Sequence, residues 1–419
     1  MTTSAQTAPK AGVCSERPLH IALYSHDTVG LGHTRRNLLI AQALAQSFPN
    51  ASILLLTGAA TSGRFTPPPR VDFLTLPSLT KDEDGGYTSR RLEVSLEQLV
   101  KLRSKAIWGA LKAFKPDVFV VDNVPKGAVG ELERSLRKLQ KKGRTRLVLG
   151  LRDVLDEPGA VREQWRRAGN EAVIAEYFDA VWVYGDRAVY DQALEYGFRA
   201  ETAAKLRYLG LLDGRERLGA SPPALALPAG AEPERGKLVL ALVGGGQDGA
   251  PLARAVARTV LPEGFYGVLV TGPYMPAALK AELAALAADN PRLTLLDFVK
   301  EPTRLLAHAD RVVAMGGYNT TYEVLSFGKP FLCVPRVRPR QEQLVRAERL
   351  QRLGLLELLH PDDLSPAALG AWLARPGRPA GAPARLDFGA MARLPGALAD
   401  LVRKTVIPTA LPEATRVAL

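Results

Sequence analysis

A histidine stands where a strand pattern gives way to a helix pattern. The apolar run Ile21 to Tyr24 leads through Ser25, His26, Asp27, Gly30, Gly32 and His33 into a helical pattern starting near Thr34. A neutral imidazole at such a junction could take a proton from an attacking hydroxyl, and the nearby helix start would hold its pKa down. His33 could equally do no more than cap the turn. His26 and Asp27 are weaker candidates for the same work.

Two glycine-rich turns in the second half ask for a different chemistry. Gly244, Gly245, Gly246 and Gly249 lie between an apolar strand pattern and a helix pattern, and so do Gly316 and Gly317. Glycines let a backbone approach a ligand closely, and a following helix aims unpaired N–H groups and partial positive charge at it, which suits a pyrophosphate. A nicotinamide site is disfavoured, because Ala250 stands where the third glycine of a dinucleotide fingerprint would fall and no acidic strand end follows at the required distance. After the second turn come Asn319, Thr320 and Glu323. Thr320 and Glu323 fit a capping box that needs no ligand, yet a carboxylate one turn into such a helix could also accept hydrogen bonds from ribose hydroxyls. Further on, Arg336, Arg338 and Arg340 could clamp phosphate, and Glu342 and Gln343 could bind sugar hydroxyls. The plainer reading of these arginines is a solvated basic loop.

The elements that must position these residues alternate along the chain. Apolar runs at Ile21 to Tyr24, Ile53 to Thr57, Val71 to Leu76, Val118 to Asp122, Leu147 to Leu151 and Val181 to Tyr184 alternate with helical patterns. The theme repeats at Leu238 to Val243, Gly267 to Thr271, Leu293 to Phe298, Val312 to Met315 and Phe331 to Val334. Strand and helix in alternation imply βαβ units around parallel sheets, so the expected class is α/β with two Rossmann-like doubly wound domains. The expected divisions are a disordered tail over 1–17, one domain over 18–212, a Pro/Ala/Gly-rich exposed linker over 213–236, a second domain over 237–375, and a tail over 376–419 that is helix-prone from about Phe388 to Lys404. Lys81 to Tyr87, acidic and glycine-containing, reads as a mobile loop at a strand end.

Composition narrows the function. In 419 residues with 47% hydrophobic content there is no apolar stretch of the roughly 20 residues a membrane span needs, and the first 18 have no signal-peptide core. The expected location is cytoplasmic. The two cysteines, Cys14 and Cys333, support neither a disulfide framework nor a metal cluster. A net charge of +12 favours anionic partners, but 6% aromatic residues and no finger or RNA-recognition signature disfavour nucleic acid.

One helix pattern, Leu96 to Phe114, carries two faces. Leu96, Val100, Ile107, Leu111 and Phe114 form an expected core stripe, while Lys101, Lys105, Trp108, Lys112 and Lys115 align on another face. Lysines around a tryptophan suit an anionic membrane surface. A solvated lysine face with Trp108 lying under lysine stems is the plainer alternative.

Taken together, these motifs resemble those of GT-B glycosyltransferases of family 28, whose familiar member is the UDP-N-acetylglucosamine transferase of lipid II synthesis. The matching stretches are Gly30, Gly32 and His33, then Gly244 to Ala250, Gly317 to Glu323, and Glu342, Gln343, Arg346 and Ala347. The chain is still more similar to a subgroup of predicted bacterial glycosyltransferases, through Gly317 to Thr320 and Pro335 to Gln343. The resemblance implies two domains facing a cleft, with a UDP-sugar on the C-terminal side and a hydroxyl acceptor on the N-terminal side, no cofactor and no metal. It implies that Gly245, Gly246 and Gln247 approach the pyrophosphate or sugar and that Phe298 and Val299 meet uracil. Glu323 would bind ribose, Thr320 would lie by phosphate, Gly317 and Asn319 would belong to the same donor-binding segment, and Glu342 and Gln343 would hold ribose or sugar hydroxyls. His33 takes the family's histidine position, beside the acceptor-side loop of Gly30 and Gly32. The peptidoglycan enzyme departs by a serine where Gly246 stands, by an arginine and serine where Met315 and Gly316 stand, and by a glutamine where Glu342 stands, so its own role does not carry over. A nucleotide-sugar epimerase or hydrolase, or a non-catalytic nucleotide-sugar binding protein, would use the same donor site.

Overall fold

The computed structural model describes residues 18–26, 32–58, 65–81, 86–218, 236–299, 301–377 and 381–406. Asp27, Gly30, both chain ends, most of the acidic loop after Lys81 and the middle of the expected linker lie outside the described residues. Strands β1 (His20–Ser25), β2 (Ser52–Thr57), β3 (Val71–Thr75), the short pair β4 (Leu79–Lys81) and β5 (Tyr87–Ser89), β6 (Val118–Asp122), β7 (Arg146–Arg152), β8 (Ala180–Tyr184) and β9 (Leu206–Tyr208) occupy the first half. The second half holds β10 (Lys237–Leu242), β11 (Phe265–Val270), β12 (Leu293–Leu296), β13 (Arg311–Ala314), β14 (Phe331–Cys333) and β15 (Glu357–Leu358).

Both large sheets are parallel and doubly wound. The first runs β3-β2-β1-β6-β7-β8-β9 and the second β12-β11-β10-β13-β14-β15. Strand order reverses between β1 and β6 in the first sheet, and between β10 and β13 in the second. Ligands of open α/β sheets bind outside the strand C-termini at such switch points. The histidine loop follows β1, and the two glycine turns follow β10 and β13.

Continuous apolar runs make these strands because helices cover both faces of each sheet. Ile21, Leu23, Val120 and Val148 pack on one side of the first sheet, while Ala22, Phe119, Val121 and Leu149 pack on the other. The helix Ala390–Val406 packs on the helix Gly32–Ser47 of the first half, sending Leu394 and Leu398 into the core that holds Leu39 and Leu44. Cys333 is buried in β14, where burial pushes its thiol up to about 12.

Three expectations are corrected. Lys81 and Tyr87 are not parts of one mobile loop but pair across the antiparallel hairpin β4-β5. The expected linker does not begin exposed at Asp213: Asp213 and Gly214 are buried, and Gly214–Leu218 forms a 3-10 turn against the second half, tied by Arg217. In the helix Leu96–Phe114 the inward stripe is Leu99, Arg103, Ile107 and Leu111, whereas Leu96 is exposed and Val100 half-buried. The phase shifts because a fully buried arginine lies on the inward face. Arg103 donates to Glu131, itself buried, and Tyr24 donates to the same carboxylate, a partnership that apolar periodicity cannot foresee.

The two halves meet across a buried ion pair. Arg346 donates to both oxygens of Asp153 at 2.7 and 2.8 Å and to the Gly316 carbonyl, and the Tyr322 hydroxyl donates to Asp153 at 2.5 Å. Both charged side chains are 1% exposed. Removing one member of such a pair strands the other charge in low dielectric. Asp153→Ala should therefore cost about 3–5 kcal/mol in urea unfolding, and pairing it with Arg346→Met should recover much of that loss.

Candidate functional site

His33 occupies the first turn of the helix Gly32–Ser47, reached across the switch point from the end of β6. Its Nδ1 lies 2.5 Å from Oδ2 of Asp122, the last residue of β6. The same carboxylate accepts from Arg36, one turn along the helix, through Nη2 at 2.5 and 2.6 Å and Nε at 3.2 Å. Burial alone would raise the Asp122 pKa, but the Arg36 guanidinium and the His33 ring hold it well below the usual carboxylate range. An ionised Asp122 takes a proton-bearing Nδ1 as its donor, leaving Nε2 of His33 as the free acceptor. His26 packs on His33 at 4.6 Å between ring centroids, and burial followed by the neighbouring His33 keeps its pKa well below the ordinary value.

A cleft of about 340 Å³ lies between the halves. His33, Gly32 and Arg35 line it from the first half. From the second come Gly244, Gly245, Phe298, Val299, Gly317, Asn319, Thr320, Glu323, Glu342 and Gln343. The helices Ala250–Arg258 and Tyr318–Ser326 begin at Gly249 and Gly317, with no side-chain cap on either first turn among the described residues. Their leading N–H groups thus remain available to an anion.

Some expected residues do other work. Gly246 does not line this cleft: its φ is 95°, and a Cβ there would sit 2.5 Å from the Thr271 carbonyl oxygen, so it serves close packing between loops. Gln247 lines a neighbouring cavity instead. The capping box of Thr320 and Glu323 is not formed, since Gly317 is the N-cap and Glu323 reaches Arg35 at 3.1 Å and Arg217 at 3.7 Å. Asn319 donates to the Gly32 carbonyl at 2.8 Å and so joins the two loops. Glu342 bonds Arg336 at 2.6 Å, and the Gln343 side chain accepts from the Arg336 backbone. Arg338 is exposed, while Arg336 is held between Asp248 and Glu342 rather than free to clamp phosphate.

The basic face is present and differently arranged. Lys101, Lys105, Lys112 and Lys115 are exposed, but Trp108 is half-buried beneath Lys138 and Lys142 of the helix Glu133–Lys142, whose ammonium groups lie 5.0 and 5.2 Å from its ring. The shielding lysines come from the next helix, as the plainer reading has it except for their source. Among the described residues no helix is long and apolar enough to cross a membrane.

Asp122, Arg36 and Arg35 join the site without having stood out in the sequence. Asp122 carries a signal: it is the acidic C-terminal end of an apolar strand beside the switch point. Arg35 and Arg36 carry none, being two basic residues in a helix of mixed polarity.

Residues 239–375 match the glycosyltransferase family 28 C-terminal domain. Over 386 residues the chain is 25% identical to the UDP-N-acetylglucosamine–N-acetylmuramyl-(pentapeptide) pyrophosphoryl-undecaprenol N-acetylglucosamine transferase of Solidesulfovibrio magneticus, covering 88% of this chain and 91% of that one. The MurG structure from Acinetobacter baumannii superimposes with a TM-score of 0.55 at 15% identity, over 92% of this chain and all of that one. The UDP-GlcNAc 2-epimerase from Neisseria meningitidis, bound to UDP-GlcNAc, gives 0.57 at 11% identity over 92% and 99%. At these identities the two structures speak for the fold alone, which is GT-B.

Gly246→Ala should destabilise this domain by about 1–3 kcal/mol, because a side chain at that φ is strained and its Cβ meets a carbonyl. A thermal or urea midpoint equal to the wild type would show that the loop tolerates the change.

Proposed function

We propose that the protein moves a hexose or N-acetylhexosamine from a UDP-sugar to a hydroxyl acceptor with inversion, and that His33 is the general base. The observation that carries this reading is the ring of His33, oriented by a buried carboxylate, on the rim of a cleft lined from the second half by two glycine turns and the uncapped start of the helix Tyr318–Ser326. The acceptor oxygen attacks the anomeric carbon from the face opposite the diphosphate. Its proton passes to Nε2 of His33, while Asp122 stabilises the imidazolium that forms and Arg36 keeps Asp122 ionised. The bond to the β-phosphate breaks and the diphosphate leaves with the electron pair. The helix starts after Gly249 and Gly317 supply fixed positive ends for that charge, so the reading requires no metal and no cofactor. Phe298 and Val299 border the uracil, Glu323 the ribose, Thr320 the phosphates, and Glu342 with Gln343 the sugar hydroxyls.

A cytoplasmic enzyme working at the inner face of the plasma membrane agrees with the exposed lysines of the helix Leu96–Phe114, alongside which Leu92, Val94, Leu96 and Leu102 are also exposed. Apolar side chains beside lysines suit an anionic interface. The protein should float with vesicles containing phosphatidylglycerol at low salt and should lose that association when Lys101, Lys105, Lys112 and Lys115 are changed together to Gln. Absence of flotation at low salt would rule the membrane out as its workplace.

With UDP-sugar and an acceptor in a buffer containing EDTA, His33→Ala should lower kcat by about 10²- to 10⁴-fold with UDP affinity within twofold of wild type. Asp122→Asn should also slow turnover, through loss of the ring's orientation. Wild-type turnover by His33→Ala would refute the catalytic assignment. Conversion of UDP-GlcNAc with no acceptor present would favour the epimerase or hydrolase reading instead.

A further inference from the structure

A second cavity, of about 680 Å³, opens on the other side of Arg152 and Glu342 from the donor cleft. His33, Arg152 and Glu342 line both spaces. The histidine therefore stands at a doorway between two compartments, as the base in a two-substrate reaction must.

The walls of the second compartment are chemically unfinished. Among the described residues, eleven buried side-chain nitrogen and oxygen atoms have no hydrogen-bond partner, and five of them belong to residues lining this cavity. They are Nδ1 of His26, Oδ1 of Asn123, Nε of Arg152, Nε of Arg336 and Oε2 of Glu342. Each such atom left unpaired costs about 1–3 kcal/mol, and the five cluster in the residues that wall this one space.

Their types give that wall both donors and acceptors. Oε2 of Glu342 and Oδ1 of Asn123 accept only, and the two guanidinium Nε atoms donate only. Lining residues that carry both kinds suit a ligand that gives and takes hydrogen bonds, as saccharide hydroxyls do. Trp165, 8% exposed, adds an aromatic wall of the kind pyranose rings pack against.

Charge adds a further requirement. Arg152, Arg336 and Arg340 line the cavity against the carboxylates of Asp248 and Glu342. Arg336 binds both of those carboxylates, and Arg340 lies 3.9 Å from Asp156. The guanidinium of Arg152 has neither an ion pair nor a hydrogen bond among the described residues. Burial, together with the neighbouring Arg36 and Arg346, pulls Arg152 down to about 10 despite the opposing pull of Glu342. A cation held there gains most from an anion that arrives with a ligand.

We propose that this cavity is the acceptor site and takes a saccharide bearing one acidic group, a carboxylate or a phosphate, which pairs with Arg152 while a neighbouring hydroxyl meets His33. The proposal rests on the glycosyl-transfer reading above. In the transfer the acceptor's O–H proton goes to Nε2 of His33, its oxygen bonds the anomeric carbon, and the diphosphate leaves as UDP, with nothing else consumed. No local residue pattern marks the compartment, because its walls come from the ends of β1, β6 and β7, the helix Pro158–Ala168 and the loop before Glu342.

The test is direct binding, independent of turnover. With UDP present, methyl glucuronide, glucose 1-phosphate and methyl glucoside are titrated calorimetrically into the wild type and into Arg152→Gln. The expected result is that one acidic probe binds at least about tenfold more tightly than the neutral one, that the better of the two identifies carboxylate or phosphate, and that Arg152→Gln erases the preference while Arg152→Lys keeps part of it. If Arg152→Gln does not fold, Arg340→Gln on the same wall should lessen the preference, and Trp165→Leu should weaken all three probes. Equal affinities, no binding at millimolar concentration, or a preference that survives the loss of Arg152 would overturn the proposal. UDP titrated alone into the wild type probes the donor cleft separately, so a failure of the donor reading is distinguishable from a failure at this cavity.

Discussion

The carboxylate of Asp122 is the point on which the arrangement of the site turns. It is 2% exposed at the end of a central strand, where an uncompensated negative charge would be costly, and two cationic or proton-donating groups from one helix converge on it. Arg36 neutralises it and, in doing so, fixes the register of the helix Gly32–Ser47 against β6. His33 stands one turn earlier on that helix and is thereby carried to the rim of the cleft with one nitrogen committed. Burial, charge pairing and helix periodicity together settle which ring nitrogen remains free.

A comparable logic holds the halves together. Asp153 follows β7 directly, so the ion pair with Arg346 ties the C-terminal end of the first sheet to the helix Glu342–Arg352 of the second. Arg152, its neighbour in sequence, is left between the two cavities. The seam that stabilises the molecule therefore also sets the wall between the compartments. Asn319 bonded to the Gly32 carbonyl extends the same seam to the histidine loop.

Much of this architecture is legible in residue patterns. The eleven apolar runs expected as strands are strands, because buried parallel strands are written as uninterrupted aliphatic segments, and glycine turns mark the C-terminal ends of β10 and β13. The short strands β4, β5, β9 and β15 escape notice, being only two or three residues long and lacking a period of their own. The inward face of the helix Leu96–Phe114 differs from its apolar stripe because Arg103 reads as polar until its partner Glu131 is known. In the site, types and order bring out His33, the glycine turns and Glu323, whereas Asp122, Arg35 and Arg152 depend on contacts between segments far apart in the chain. Hydrophobic period reports which face is buried; it does not report which charges are buried together.

Glu323 shows why that distinction matters for function. A carboxylate at this place is open to two readings, a local cap or a ligand contact, and the fold does not use it as a cap. Its Oε1 faces Arg35 of the first half at 3.1 Å and Arg217 of the connecting turn at 3.7 Å. Oε2 carries no hydrogen bond among the described residues. Two arginines on one oxygen hold the side chain in a single orientation, which leaves the second oxygen as a pre-set acceptor at the wall of the cleft. Preorganisation of that kind removes the rotamer entropy a flexible glutamate would lose on meeting a hydroxyl. Because one of those arginines belongs to the opposite half, this wall of the cleft is complete only when the two halves are seated together. The cleft is then a property of the seam, and neither sheet holds it alone.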